Sequence, residues 1–81
     1  LAHFASRPAG ESMSVLTLTV NGEPLSLPAP QTVASLLALR SLAGRRLAVE
    51  VDGELVPRSR HDATVLRDGS QIEIVVAVGG G

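Results

Sequence analysis

From Val15 to Val20 apolar and polar side chains alternate, with Leu16, Leu18 and Val20 set against Thr17 and Thr19. A period of two puts one set on a buried face and the other toward solvent, so it predicts a half-buried strand. Asn21-Gly22-Glu23-Pro24 follows; Asn and Gly tolerate positive φ, which makes this a turn. Leu25 and Leu27 then continue as a second short strand and close a β-hairpin. Pro28 and Pro30 lack the N–H that a ladder needs, and they end it. Thr32 suits a helix N-cap. Val33, Leu36 and Leu37 recur at the spacing of one helical face. They predict a helix of at most about three turns, with Gly44 at its ending position. Leu39 and Leu42 fall off this stripe and are expected to pack at the helix exit.

Alternation returns at Leu47, Val49 and Val51, with Ala48 and Glu50 on the opposite face. Asp52-Gly53 reads as a tight turn, and Glu54-Leu55-Val56 as extended chain before Pro57. Arg58 to Leu66 has no clean period and reads as an irregular connection. Arg67–Ser70 is another turn. The final strand puts Ile72, Ile74, Val76 and Val78 on one face and Gln71, Glu73, Val75 and Ala77 on the other. The order is β-β-α-β-β-β. One helix laid across one face of a mixed four- to five-stranded sheet buries such a set, which places the chain in the α+β class. The first and last strands are the richest in aliphatic residues. They are expected to be central neighbours running parallel, since the intervening chain supplies the crossover.

A chain of 81 residues makes one small domain, of a size that buries roughly 60% of its unfolded surface. With no cysteine, disulfides, a thiolate nucleophile and a cysteine zinc site are excluded. Two histidines, His3 and His61, do not make a metal site by themselves, and no metal site is expected. Phe4 is the only aromatic residue and the net charge is −1. Neither base stacking on rings nor a basic field for phosphates is provided, so no nucleic-acid partner is expected. No apolar run approaches the length that spans a bilayer, so no membrane partner is expected. Leu1–Ser12 lacks the basic start and apolar block of a signal peptide. It is expected to be a disordered leader or a cloning remnant, with Met13 as a candidate start and the cytoplasm as the compartment. The domain is expected over residues 13–78, followed by a flexible glycine tail over 79–81.

Four stretches in order carry a closer resemblance: VNGEP at 20–24, QTVASLL at 31–37, LAVEVDGELVPRS at 47–59 and LRDGSQIEIVVAVGGG at 66–81. Together they resemble the ThiS family, the sulfur carrier proteins of thiamine biosynthesis, over Met13 to Gly81. The family often has an acidic residue where Ser70 stands and Asn where Asp52 stands; both positions fall in expected turns. The resemblance implies a β-grasp, or ubiquitin-like, fold. It also implies that the chain is not itself an enzyme and binds no cofactor. Gly81 would bear the reactive carboxylate, which a ThiF-like enzyme adenylates with ATP. Sulfur derived from a cysteine desulfurase would then displace AMP and leave a covalent thiocarboxylate on Gly81. A ThiG-like thiazole synthase would consume it.

The chemistry of the tail fits that implication. A terminal carboxylate has a pKa of roughly 3.5 and is an anion at neutral pH. It is a poor acyl donor until an adenylate supplies a leaving group. Gly79 and Gly80 have no Cβ, so they can thread a narrow passage close to a partner's backbone. Three extended residues reach about 10 Å. Val75 and Ala77, with Ala48, are expected to form an apolar docking patch on the uncovered sheet face. Arg58, beside Ser59, Arg60 and His61, is a further candidate contact for an acidic partner surface. His61 and Asp62 adjoin without forming a catalytic pair, and no serine is placed as a nucleophile. Other readings stay open. They are a MoaD-like subunit of molybdopterin synthase, whose tail typically has prolines before Gly-Gly, a carrier for tRNA thiolation or cysteine synthesis, and a ubiquitin-like binding module with an inert tail.

Overall fold

The computed structural model describes residues 14–78. The expected leader and the tail residues Gly79, Gly80 and Gly81 lie outside the described residues. The elements are β1 (Val15–Val20), β2 (Glu23–Pro28), α1 (Val33–Leu39), β3 (Leu47–Val51), β4 (Glu54–Val56), a 3-10 turn (Arg58–Arg60) and β5 (Gln71–Val76). The five strands form one sheet in the order β2-β1-β5-β3-β4. β1 and β5 are parallel neighbours near the centre, and the other pairs are antiparallel.

Both hairpins close on two residues, because Val20 pairs with Glu23 and Val51 with Glu54. The turn residues all have positive φ: Asn21 at 52° and Gly22 at 84°, Asp52 at 52° and Gly53 at 87°. Positive φ at both central positions is the type I′ geometry, whose twist matches that of the flanking strands.

α1 starts at Thr32 in a reciprocal capping box. The Thr32 hydroxyl accepts from the Ser35 N–H at 3.1 Å, and the Ser35 hydroxyl accepts from the Thr32 N–H at 2.8 Å. Two orphan donors of the first turn are thereby satisfied. The helix ends earlier than the glycine pattern suggests. Its last residue is Leu39, and the left-handed residue that closes it is Ser41, with φ 61°; Gly44, also at positive φ (81°), lies beyond the helix end. Ser41 N–H bonds the Ala38 carbonyl and Leu42 N–H bonds the Leu37 carbonyl, at 3.0 and 2.8 Å. These are the two bonds of a Schellman motif. Leu42 packs against the core as expected at the exit, whereas Leu39 is exposed.

One core lies between α1 and the sheet. Leu16, Leu18 and Val20 of β1, Val33, Leu36 and Leu37 of α1, Val49 of β3, and Ile72 and Ile74 of β5 are buried, with Leu66 from the connection before β5. The period-two and helical stripes of the sequence therefore meet as read. Arg58–Leu66 is more ordered than its lack of period suggests, and it holds by backbone bonds. Val33 N–H bonds the Thr64 carbonyl, Leu66 N–H bonds the Gln31 carbonyl, and Val65 bridges to Thr32. Val78 does not join the core face; it is 88% exposed, because β5 ends at Val76 opposite Leu47, the first residue of β3.

Candidate functional site

β5 leads to the C-terminal glycines; it is held through Ala77 on the β3 flank and through Ile74 on the β1 flank. On one side Ala48 pairs with Val75 and Leu47 with Val76, and the Ala77 N–H donates to the Arg46 carbonyl at 2.8 Å. On the other side β1 pairs only as far as Val20 with Ile72. The Asn21 side chain then continues the pairing. Its Oδ1 accepts from the Ile74 N–H at 2.7 Å and its Nδ2 donates to the Ile74 carbonyl at 3.1 Å, while its own N–H bonds the Ile72 carbonyl at 2.8 Å. One amide side chain thus does for Ile74 what another strand residue would do.

Two carboxylates fix the approach to β5. Asp68 Oδ1 accepts from the Thr17 N–H at 2.8 Å and Asp52 Oδ1 from the Gln71 N–H at 2.9 Å. Hydrogen bonds to a charged partner are roughly twice as strong as neutral ones. The buried Ser70 hydroxyl accepts from the Arg67 N–H. The Arg67–Ser70 turn is therefore a clamp on β1, beyond the simple reversal read in the sequence. Asn21, Asp52 and Asp68 read there as turn formers. Their long-range bonds left no mark in the local pattern beyond the choice of Asn or Asp.

Val75, Ala77 and Ala48 come together on the sheet face away from α1, and all three are exposed; Val75 is 66% exposed. Leu55 of β4, paired with Glu50 of β3, adds a fourth apolar side chain to this face and is 65% exposed. Arg58 is not brought to that face. It lines a groove with Ala34, Leu37 and His61 on the helix side. Its guanidinium donates to the Arg45 carbonyl at 3.0 Å. Since the next carbonyl, that of Arg46, holds Ala77, Arg58 braces the loop that holds the base of the tail. His61 is buried and its Nε2 lies 3.1 Å from the Val56 carbonyl, which gives the ring a structural bond and no link to Asp62. Among the described residues no group of His, Asp and Glu gathers to hold a metal ion. No helix among them is long and apolar enough to cross a membrane.

Comparison with known proteins agrees with this geometry. The family model of the ThiS family matches residues 15–81. The crystal structure of the thiamine biosynthesis protein ThiS from Geobacter metallireducens superposes with a TM-score of 0.69 at 35% identity, covering 82% of this chain and all of that one. The thiazole synthase of Paramagnetospirillum magneticum is 38% identical over 66 residues, which are 82% of this chain and 20% of that protein. The chain thus spans about a fifth of that relative's length. The uncharacterized protein ycf40 of Porphyra purpurea is 30% identical over 93% of its own length. The sheet order, the single helix and the family match together place this chain in the ThiS family, with its β-grasp fold.

Proposed function

We propose that this chain carries sulfur as a thiocarboxylate on Gly81 and donates it for thiazole formation in thiamine biosynthesis. The observation that supports this most is the fixing of β5 on both flanks up to Ile74 and on the β3 flank up to Ala77, shortly ahead of Gly79–Gly81. A carrier needs an acyl end held on a rigid base and delivered into another protein's site, with little bulk on the way. Family membership and the similarity to a thiazole synthase support the pathway.

The chemistry requires two steps on Gly81. A carboxylate oxygen attacks the α-phosphorus of ATP, the bond to the β-phosphate oxygen breaks, and pyrophosphate leaves. Sulfur at the oxidation level of sulfide then adds to the acyl carbon. The acyl–oxygen bond to AMP breaks, and the proton on sulfur passes to solvent. A ThiF-like adenylating enzyme performs the first step, a desulfurase-derived persulfide, cleaved to sulfide by a thiol reductant, supplies the sulfur, and a ThiG-like thiazole synthase consumes the product. This chain supplies the acyl group, the glycine thread of Gly79 and Gly80, and a docking face of Val75, Ala77 and Ala48. Arg58 acts from behind that face, by holding Arg45.

The test is to incubate the protein with ATP, a ThiF-like enzyme and sulfide and to follow its intact mass. Exchange of one oxygen for sulfur is expected, and its loss on deletion of Gly81 with the fold unchanged. Continued sulfur uptake by the shortened chain would reject the assignment to Gly81. No uptake by the full chain, with an enzyme competent on another carrier, would favour an inert-tail binding module.

A further inference from the structure

Both outer edges of the sheet are blunted against pairing with other chains. β2 carries Pro24 and Pro28, and β4 is only three residues long. Prolines and very short edge strands are common devices against unwanted strand addition. One stretch of backbone near the sheet centre is left open instead.

Opposite residues in an antiparallel ladder alternate between pairs that exchange hydrogen bonds and pairs that do not. The Ala77 N–H bonds the Arg46 carbonyl, so Val75 and Ala77 belong to the bonded set against β3. Val76 therefore turns its N–H and C=O to the other flank, as Ile74 does. There the β1 hairpin has already ended, and the Asn21 side chain serves Ile74 alone. Among the described residues, nothing pairs with the Val76 N–H or C=O. A donor and an acceptor at strand spacing thus stand just above the Asn21-Gly22 turn, at the foot of the glycine tail.

The geometry points to strand addition as the way the adenylating enzyme takes hold of this carrier. An extended segment of that enzyme seats on the Asn21-Gly22 turn and pairs with Val76. The inference rests on the proposed carrier function and names how the tail is gripped. Backbone groups at this spacing are matched by another extended backbone, the mode of edge recognition in which main-chain bonds give affinity and alternate side chains give selectivity. The exposed side chains of Val75 and Val78 beside the opening supply the apolar contacts. A second copy of this chain is a poorer occupant, since the carrier function calls for none, whereas the adenylating enzyme must engage the chain just ahead of Gly79–Gly81.

Hydrogen exchange at the Val76 amide, in the full chain alone and saturated with a ThiF-like enzyme and ATP, tests this. In the free protein Val76 is expected to exchange far faster than Ile74, and in the complex to slow by at least about tenfold, the equivalent of one hydrogen bond. Val76→Pro removes a donor that serves no bond within the described fold. It is expected to weaken binding of the enzyme by about tenfold or more while the Leu18 and Val49 amides stay protected. Should Val76→Pro unfold, the wild-type exchange measurement decides alone. A Val76 amide that remains fast in a complex still able to load sulfur overturns strand addition and leaves the carrier function standing. Protection that appears in the free protein as its concentration rises overturns it in favour of self-association. Failure of the enzyme to bind the wild type overturns both.

Discussion

Replacing Asn21 by glycine tests whether one side chain fixes the base of the tail. Glycine accepts the φ of 52° at this position without a Cβ penalty, so the turn is kept and only the amide is removed. Two partly buried hydrogen bonds to Ile74 are lost, at 2.7 and 3.1 Å. At about 0.5–1.5 kcal/mol each, they amount to roughly 1–3 kcal/mol, with a few tenths more from the looser unfolded chain. For a domain of this size about 2 kcal/mol lowers Tm by roughly 8–16 °C. Urea and thermal unfolding of both proteins would measure it, with Ile74 amide exchange alongside. The Ile74 amide is expected to approach the exchange rate of Val76, while Val49 on β3 stays protected. A stability change under about 0.5 kcal/mol, with Ile74 still slow, would refute the idea that Asn21 stands in for a strand.

Further outcomes follow from the same contacts. Ser41→Gly should stabilise the protein by about 0.5–1 kcal/mol in urea unfolding, because it relieves a left-handed serine while keeping both Schellman bonds. Leu36→Ala should cost about 2–5 kcal/mol in the same assay, since Leu36 is fully buried where α1 meets the sheet. Ala77→Asp should leave unfolding unchanged within about 0.5 kcal/mol and weaken binding of the adenylating enzyme measured by calorimetry; unchanged affinity would remove the outer sheet face as a docking surface.

The parts of the fold that depend on side-chain period were legible in the sequence. Leu16, Leu18 and Val20 against the threonines gave β1, Ile72 and Ile74 gave β5, and the two-residue turns carry the Asn-Gly and Asp-Gly pairs that positive φ selects. The parallel β1–β5 pairing followed from their shared apolarity and the long crossover. Features that rest on backbone bonds were not legible. The segment Arg58–Leu66 has no period because its order comes from carbonyls and amides around the helix start. Gly44 looked like the helix end because glycine is the commonest left-handed residue. Ser41 occupies that position because two backbone bonds and the packing of Leu42 outweigh its intrinsic cost. Val78 kept the phase of a core strand after β3, its partner, had begun at Leu47, so its side chain meets solvent. Within the candidate site, Val75, Ala77 and Ala48 were legible from strand phase, and Arg58 only as a charge. Its bond to Arg45 and the reach of Asn21 to Ile74 join residues far apart in sequence, beyond any local pattern.

The carrier account stands or falls on where sulfur comes to rest. Tandem mass spectrometry of the protein, after incubation with ATP, a ThiF-like enzyme and sulfide, locates it most directly. The account predicts that one oxygen is replaced by sulfur within the fragment that holds Gly79–Gly81. An unmodified terminal fragment, with the sulfur elsewhere or absent, would contradict it.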